Sequence, residues 1–223
     1  MLSKPRVIHH VTLSVLSLAT IALFYWAIDS DRSRFLFSMS TAYVALGLLG
    51  LSAVIGPIKL LMSQRSLPVS IYLRRDIGIW AGIVAIVHVF FGLQGHVGGK
   101  FWYYFLAPPN ASYNFPLRLD WFGLASFLGL GAILIIFLLL FLSNDKSISR
   151  YGIKHWKFMQ RFSYFAILMT FLHTIIFLVT ATRGFTYIAM FSAVALSFFT
   201  FQALGYHTLS QKRKQIILAR PDN

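Results

Sequence analysis

Two histidines inside long apolar segments are the residues best able to carry chemistry in this chain. His88 lies in the apolar stretch 77–98, and His173 lies in the stretch 162–182. An ionisable side chain at membrane depth costs several kcal/mol unless it is paired or bound, so each histidine is a candidate functional residue. The chain has no cysteine, which excludes disulfides, thiolate metal sites and haem attached through cysteine. Any metal ion here must therefore be bound by histidine or oxygen.

The two histidines are predicted to lie at the same depth. His88 follows Arg75 by 13 residues, and His173 follows Arg161 by 12 residues. At 1.5 Å per residue, they lie about 20 Å and about 18 Å from the basic boundary of two parallel helices. Two imidazoles at one level of a helix bundle suit the two axial ligands of one haem iron. Zinc or copper is a poorer match because only two strong ligands converge.

Two other interpretations of these histidines stay open. Neutral histidines could hydrogen-bond to backbone carbonyls and act only as structural braces. They could also bind the substrate of a small-solute carrier, although carriers tend to have broken helices and polar residues at the membrane midplane. Gly56-Pro57 is the one obvious interruption in the apolar stretches. The pattern therefore favours haem over transport.

The remaining histidines and the outer cations have supporting roles at most. His96 is predicted at the outer interface, where it could bond a haem propionate or face water. Arg183, Arg118 and Lys100 are the cations on that side that could pair with propionates. The other four histidines are predicted to be interfacial, at positions His9, His10, His155 and His207.

The composition indicates a membrane protein. The chain is 57% hydrophobic and 12% charged, whereas soluble domains are about 25% charged. Six apolar stretches are each about 20 residues long, which is the length that crosses a hydrocarbon core of about 30 Å. A β-barrel has short alternating segments instead. The sequence predicts one all-α domain over 1–223, a six-helix membrane bundle with spans near 7–28, 41–62, 77–98, 121–143, 162–182 and 185–206.

The basic residues predict the orientation of the bundle. The chain has 20 Lys+Arg against 6 Asp+Glu, a formal charge of +14. Alternating the loops between two sides collects most of the basic residues on the side of both termini, which the positive-inside rule makes cytoplasmic. Anionic lipid headgroups account for this charge without nucleic acid. The first span has no Ala-x-Ala-like site after it, so we expect a retained helix and not a cleaved signal peptide.

One outer connection is long, and the others leave no room for a soluble nucleotide or flavin domain. The connection 99–120 is rich in aromatic residues and prolines. Such a segment is typical of an interfacial aromatic belt. It could also be a cap over a buried site or a docking surface for an outer partner.

The chain resembles the ferric reductase-like transmembrane domain family, and most closely its small stand-alone members of the MsrQ type. The similarity covers about residues 45–205. It is carried by Arg74-Arg75-Asp76-Ile77-Gly78-Ile79-Trp80 followed by His88, and by Lys154-His155-Trp156 followed by Phe162, Tyr164 and His173. NADPH oxidases and STEAP proteins share the wider architecture, in which haem lies between the third and fifth spans.

The resemblance implies that His88 and His173 bind haem b in the outer half of the membrane. Family members with a second, inner haem carry a histidine at the positions that Arg74 and Gln160 occupy here. One bis-histidine haem is therefore expected.

The resemblance also implies a role in electron transfer. The expected donor is a membrane quinol or a cytoplasmic flavin reductase, and the expected acceptor is a protein or metal ion on the outer side. A quinone or flavin near Trp80, Gln160 and Tyr164 is a further expectation. The membrane is expected to be a bacterial-type inner membrane.

Overall fold

The computed structural model describes residues 4–27, 33–62, 71–95, 97, 99–109, 111 and 115–218. The helices are α1 (Lys4–Ala27), α2 (Ser33–Leu61), α3 (Ile71–Gly95), α4 (Trp121–Leu142), α5 (Asp145–Gln160), α6 (Phe162–Thr180) and α7 (Phe185–Leu218). Within those ranges the only β-pairing is an isolated bridge between Leu106 and Leu117. Six helical segments are long and apolar enough to cross a membrane, the fifth of them joining α5 and α6. The prediction of an all-α protein with six spans is confirmed at this level.

Several helices are longer than the apolar stretches that predicted them. Helix α2 begins at Ser33 and not near 41, and α3 begins at Ile71 and not near 77. Helix α7 continues to Leu218, beyond the predicted end near 206. Apolar runs detect only the part of a helix that matches the hydrocarbon core, whereas Lys, Arg and Gln are good helix formers and continue the helix outside it.

Helix α5 is an element that the sequence analysis treated as a basic connection. The Asn144 side chain begins it by accepting a hydrogen bond from the backbone N–H of Ser147 at 2.8 Å. The indole of Trp156 is buried and donates to the carbonyl of Leu142, the last residue of α4, at 2.9 Å. Gly152 has a φ of 74°, which interrupts the helical geometry. The search for apolar runs missed α5 because its residues are mostly polar.

Helix α2 lies at the centre of the bundle. It packs on α1, α3 and α7, while α4 packs mainly on α6. The apolar core combines Tyr43 and Leu46 of α2 with Phe171 of α6 and Phe191 and Phe198 of α7. The ring of Phe171 meets those of Phe191 and Phe198 edge-on, at centroid distances of 5.6 and 5.5 Å. These contacts fix α6 and α7 against α2.

Candidate functional site

A cavity of about 260 Å³ lies among α2, α3, α4 and α6. Both His88 and His173 line it. Most of the remaining wall is aliphatic or aromatic, with residues such as Leu46, Ile133 and Phe177. The structure therefore brings the two predicted site residues to one apolar enclosure.

His88 is oriented by the backbone of α2. Its Nδ1 lies 2.9 Å from the carbonyl oxygen of Ser38 and 3.4 Å from the Ser38 hydroxyl. Ser38 is fully buried. A carbonyl oxygen can only accept, so Nδ1 carries the proton of the bond. In the neutral imidazole, the lone pair is then on Nε2.

His173 has the matching arrangement on the other side of the cavity. Its Nδ1 lies 2.8 Å from the carbonyl oxygen of Ala125 in α4, and Ala125 is fully buried. By the same reasoning Nδ1 donates, and Nε2 carries the lone pair. Histidines that bind metals usually donate their other ring N–H to a backbone carbonyl or a carboxylate, which fixes the tautomer. A bracing role also uses such bonds, but it does not require that both rings line one cavity.

Gly129 allows α4 to approach His173 closely, and Gly92 lies where α3 packs against Ser38 of α2. A Cβ atom on Gly129 of α4 would lie 2.6 Å from Nδ1 of His173, so only glycine fits there. A Cβ atom on Gly92 of α3 would lie 3.3 Å from the Ser38 hydroxyl and 3.8 Å from Cε1 of His88. Gly129 carries no distinguishing signal in the sequence, because glycine is common in membrane helices.

The outer aromatic connection closes one end of the cavity. Its 3-10 turn, Phe101–Tyr104, buries Tyr104, whose hydroxyl donates to the carbonyl of Gly92. Tyr104 and Phe105 both line the cavity. The rings of Tyr104, Phe122 and Phe177 follow one another at 5.4 and 5.1 Å. The connection is therefore a cap over the cavity, although its exposed aromatic side chains are also compatible with the interfacial belt.

Arg118 and Asp120 attach this outer cap to the start of α4. The Arg118 guanidinium donates to the Asp120 carboxylate at 2.9 Å and to the Tyr103 carbonyl at 2.8 Å. Asp120 also accepts from the backbone N–H of Gly123 at 2.8 Å and so caps α4. The hydrogen bond from Arg118 is the main reason that the pKa of Asp120 lies below its usual value.

The outer cations differ in what they contact. Arg183 lines the cavity, and its Cζ lies 4.4 Å from the centroid of the Phe35 ring. The ammonium of Lys100 lies 5.9 Å from the Tyr103 ring centroid and does not line the cavity. His96 lies outside the described residues.

The structure gives no larger metal-binding cluster among the residues it describes. No group of three or more His, Cys, Asp or Glu side chains in that part of the chain could hold a metal ion. Arg74 and Gln160 occupy the positions at which family members with an inner haem carry histidines. Arg74 donates from Nε to the Ser52 carbonyl at 3.0 Å. The amide nitrogen of Gln160 is buried and has no hydrogen-bond partner among the described residues. Neither side chain lines the cavity.

A buried polar cluster between α1 and α3 escaped the sequence analysis. The carboxylate of Asp76 has no exposed surface and accepts from Arg6 at 2.7 Å and from Nδ1 of His9 at 3.0 Å. Nε2 of His10 lies 3.5 Å from Asp76, and its Nδ1 accepts from the Trp80 indole at 3.2 Å. The interfacial assignment of the two histidines thus omitted their partner. Their spacing from Arg6, i+3 and i+4, places all three on one helix face and was the available signal.

Comparison of the chain with protein-family models and with curated proteins finds no match. The resemblance to the ferric reductase-like family stays a prediction that rests on the residues quoted above.

Proposed function

We propose that this chain is a membrane protein that binds one haem b through His88 and His173 and relays electrons to an acceptor on the outer side. The observation that carries the proposal is the pair of imidazoles on one apolar cavity, each with Nδ1 bound to a backbone carbonyl. In this tautomer Nε2 is the ring nitrogen that carries a lone pair, so Nε2 is the atom through which each ring would bind a metal. A structural brace needs the hydrogen bonds but not the shared cavity.

The residues around the cavity fit a flat, largely apolar group. Its wall is mainly aliphatic and aromatic, Gly92 and Gly129 both line it, and Gly129 allows the α4 backbone to come close to the His173 imidazole. His88 and His173 would hold the haem, and the haem would supply one-electron redox chemistry. The protein's part is to hold the two imidazoles, exclude water and shield the site on its outer side.

The partners in this proposal follow from the same role. The electron donor is a membrane quinol or a cytoplasmic flavin reductase, and the acceptor is a protein or a metal ion. The protein functions as a ferric reductase-like, MsrQ-like subunit in a bacterial-type inner membrane, with both termini in the cytoplasm. Reduction of the reconstituted protein by quinol alone or by reductase alone distinguishes the two donors.

Visible spectroscopy of the purified protein tests the haem assignment. We expect a low-spin, six-coordinate b-type spectrum at one haem per chain for the wild type after expression with haem supply. His88→Ala and His173→Ala should each lose that spectrum, because each removes one axial ligand. His155→Ala, an exposed histidine on α5, is the matched control and should keep the spectrum.

A folded wild type that is colourless contradicts the proposal. A carrier or a structural subunit would then account for the same two histidines. Retention of the low-spin spectrum by both alanine variants would contradict the choice of ligands but not the presence of haem.

A further inference from the structure

Arg75, near the start of α3, is a buried arginine whose hydrogen-bonding capacity is only partly used. Its side chain is 6% exposed, and its Nη1 donates to the Asp145 carboxylate at 2.7 Å. Its Nε and Nη2 are also buried, and neither has a hydrogen-bond partner among the described residues. Two nitrogens of one charged group are therefore removed from water without an acceptor, which costs free energy unless a further partner binds.

The two unpaired nitrogens form one edge of the guanidinium plane. Their N–H bonds point the same way, in the fork geometry that suits the oxygen atoms of a carboxylate or a phosphate. Two other arginines of the chain use this edge in that manner. Nε and Nη2 of Arg6 both donate to Asp76, at 3.2 and 2.7 Å. Nε and Nη2 of Arg118 both donate to Asp120, at 3.0 and 2.9 Å.

The carboxylates around Arg75 bind other nitrogens. Asp145 accepts from Nη1, on the other side of the guanidinium, and its side chain is mostly exposed. Asp76, the next residue in the chain, accepts from Arg6 and His9 instead. Neither carboxylate pairs with the Nε–Nη2 edge of Arg75, and an anionic ligand from outside the chain would complete it.

Arg75 lies at the end of a membrane-spanning helix, which is the depth of lipid headgroups. The apolar span of α3 begins at Tyr72, and Cζ of Arg75 lies 5.5 Å from the centroid of the Tyr72 ring. Tyrosine is enriched where membrane helices meet the headgroups. Tyr72 and Arg74 are both exposed, so the surface of the bundle is close to the buried edge. A phosphate group at this depth has the charge and the oxygen atoms that the edge requires.

We propose that the Nε–Nη2 edge of Arg75 binds a phosphate group at the basic end of α3, while Asp145 holds Nη1. The phosphodiester of a lipid headgroup and free phosphate both offer the required oxygen atoms. Such a site is more specific than the general attraction of basic residues to anionic lipids. The inference is independent of the haem assignment, because Arg75 does not line the histidine cavity.

Native mass spectrometry of the purified, delipidated protein in detergent tests the inference. Phosphatidylglycerol is titrated in parallel with a diacylglycerol that has the same acyl chains but no phosphate. We expect the wild type to bind one phosphatidylglycerol per chain with saturation, and the diacylglycerol much more weakly. Arg75→Gln should weaken the binding of phosphatidylglycerol by about tenfold to a hundredfold, the effect expected for losing charge-assisted hydrogen bonds.

Two further variants sharpen the measurement. Arg74→Gln removes the neighbouring cation, which is exposed and donates to the Ser52 carbonyl, and it should bind phosphatidylglycerol as the wild type does. Arg75→Lys keeps the charge but loses the planar fork, so it should recover only part of the affinity. Thermal unfolding shows whether each variant remains folded, and Arg75→Lys carries the test if Arg75→Gln does not fold.

Inorganic phosphate distinguishes the two sources of the phosphate group. If it displaces phosphatidylglycerol from the wild type, the phosphate group alone is sufficient for binding. If phosphatidylglycerol stays bound, the site recognises the lipid as a whole. Both results support a phosphate site, provided that the binding depends on Arg75.

Three results would overturn the inference. The first is equal binding of phosphatidylglycerol by the wild type and by the folded Arg75 variants. The second is an equal loss in Arg75→Gln and Arg74→Gln, which would show a diffuse attraction between charges. The third is a wild type that binds neither phosphatidylglycerol nor phosphate, or that binds the diacylglycerol equally well. None of these results bears on the haem spectrum, so the proposed function stands or falls separately.

Discussion

The hydrogen bonds of His88 and His173 determine which ring nitrogen can bind a metal. Because each Nδ1 faces a backbone carbonyl, the tautomer is set by main chain on a neighbouring helix. Main-chain acceptors cannot be removed by a single side-chain substitution, so the orientation of each imidazole depends on helix packing. Helix α2 orients His88, and α4 orients His173.

Gly129 is the position where this dependence can be tested. Gly129→Ala places a methyl group 2.6 Å from Nδ1 of His173 and must displace the ring or the helix. Overpacking of this kind costs about 1–3 kcal/mol. We expect Gly129→Ala to lower the haem content of the purified protein and to broaden or shift its low-spin spectrum.

Gly47→Ala is the matched control for this substitution. Gly47 also lies within a membrane-spanning helix, but nothing lies within 4 Å of an added Cβ atom. Its haem content should equal that of the wild type, since alanine is a better helix former than glycine. A Gly129→Ala variant with wild-type haem content and spectrum would show that close approach of α4 is not needed at His173.

At the scale of the helices, the cluster around Asp76 joins α1 to α3. Arg6, His9 and His10 reach Asp76 from one face of α1, whereas most of the other side chains of α1 are exposed. An ion pair that is removed from water depends on both partners. The position of α1 therefore depends mainly on the buried Asp76, since the second carboxylate near Arg6, that of Asp145, lies 4.0 Å away and is exposed.

Asp76→Asn should destabilise the protein strongly, because it leaves the charge of Arg6 buried without its carboxylate. Loss of one partner of a buried pair costs about 3–5 kcal/mol. Asp145→Asn is the comparison: this carboxylate pairs with Arg75 at 2.7 Å and lies 4.0 Å from Arg6, but its own side chain is 77% exposed. Because the Asp145 carboxylate keeps most of its contact with water, we expect its loss to cost less than the loss of Asp76, although the Arg75 side chain is only 6% exposed. Thermal unfolding in detergent compares the two variants, and equal shifts in Tm would contradict a dominant role for Asp76.

The elements also show where reasoning from the sequence succeeds and where it stops. Length and apolar composition suffice for six spans, because a hydrocarbon core requires about 20 apolar residues of every helix that crosses it. Helix α5 was missed because its residues are mainly polar, so a search for apolar stretches does not detect it. The Asp76 cluster was missed for a related reason. Asp76 stands at the border of an apolar stretch, and only the packing of α1 reveals that it is buried.

The candidate site shows the same division. Counting residues from Arg75 and Arg161 predicts similar depths for His88 and His173, because the rise of a helix is constant, and the structure brings both residues to one cavity. The carbonyls of Ser38 and Ala125, by contrast, belong to helices whose rotation the sequence does not specify. The contacts of Arg183, Arg118 and Lys100 likewise depend on how the connections between the helices fold, which the sequence does not specify.

At the scale of the whole molecule, the lengths of the helices indicate which parts lie outside the membrane. Helix α7 has 34 residues, or about 51 Å at 1.5 Å per residue, against a hydrocarbon core of about 30 Å. Its last turns carry Lys212, Arg213 and Lys214. The outer cap lies on the opposite side of the bundle, because α7 crosses the membrane between its start beside the α6–α7 connection and this basic end. The positive-inside rule predicts that this basic end is cytoplasmic.

Labelling of single cysteines in intact cells tests this orientation directly, because the chain has no cysteine of its own. Phe101 in the outer cap is 55% exposed, and Lys214 on α7 is exposed as well. With a membrane-impermeant maleimide, we expect Phe101→Cys to react in intact spheroplasts. Lys214→Cys should react only after the membrane is permeabilised. The reverse labelling pattern would show that the bundle has the opposite orientation. The histidine cavity and its cap would then lie nearer the cytoplasm, where an outer acceptor cannot reach them.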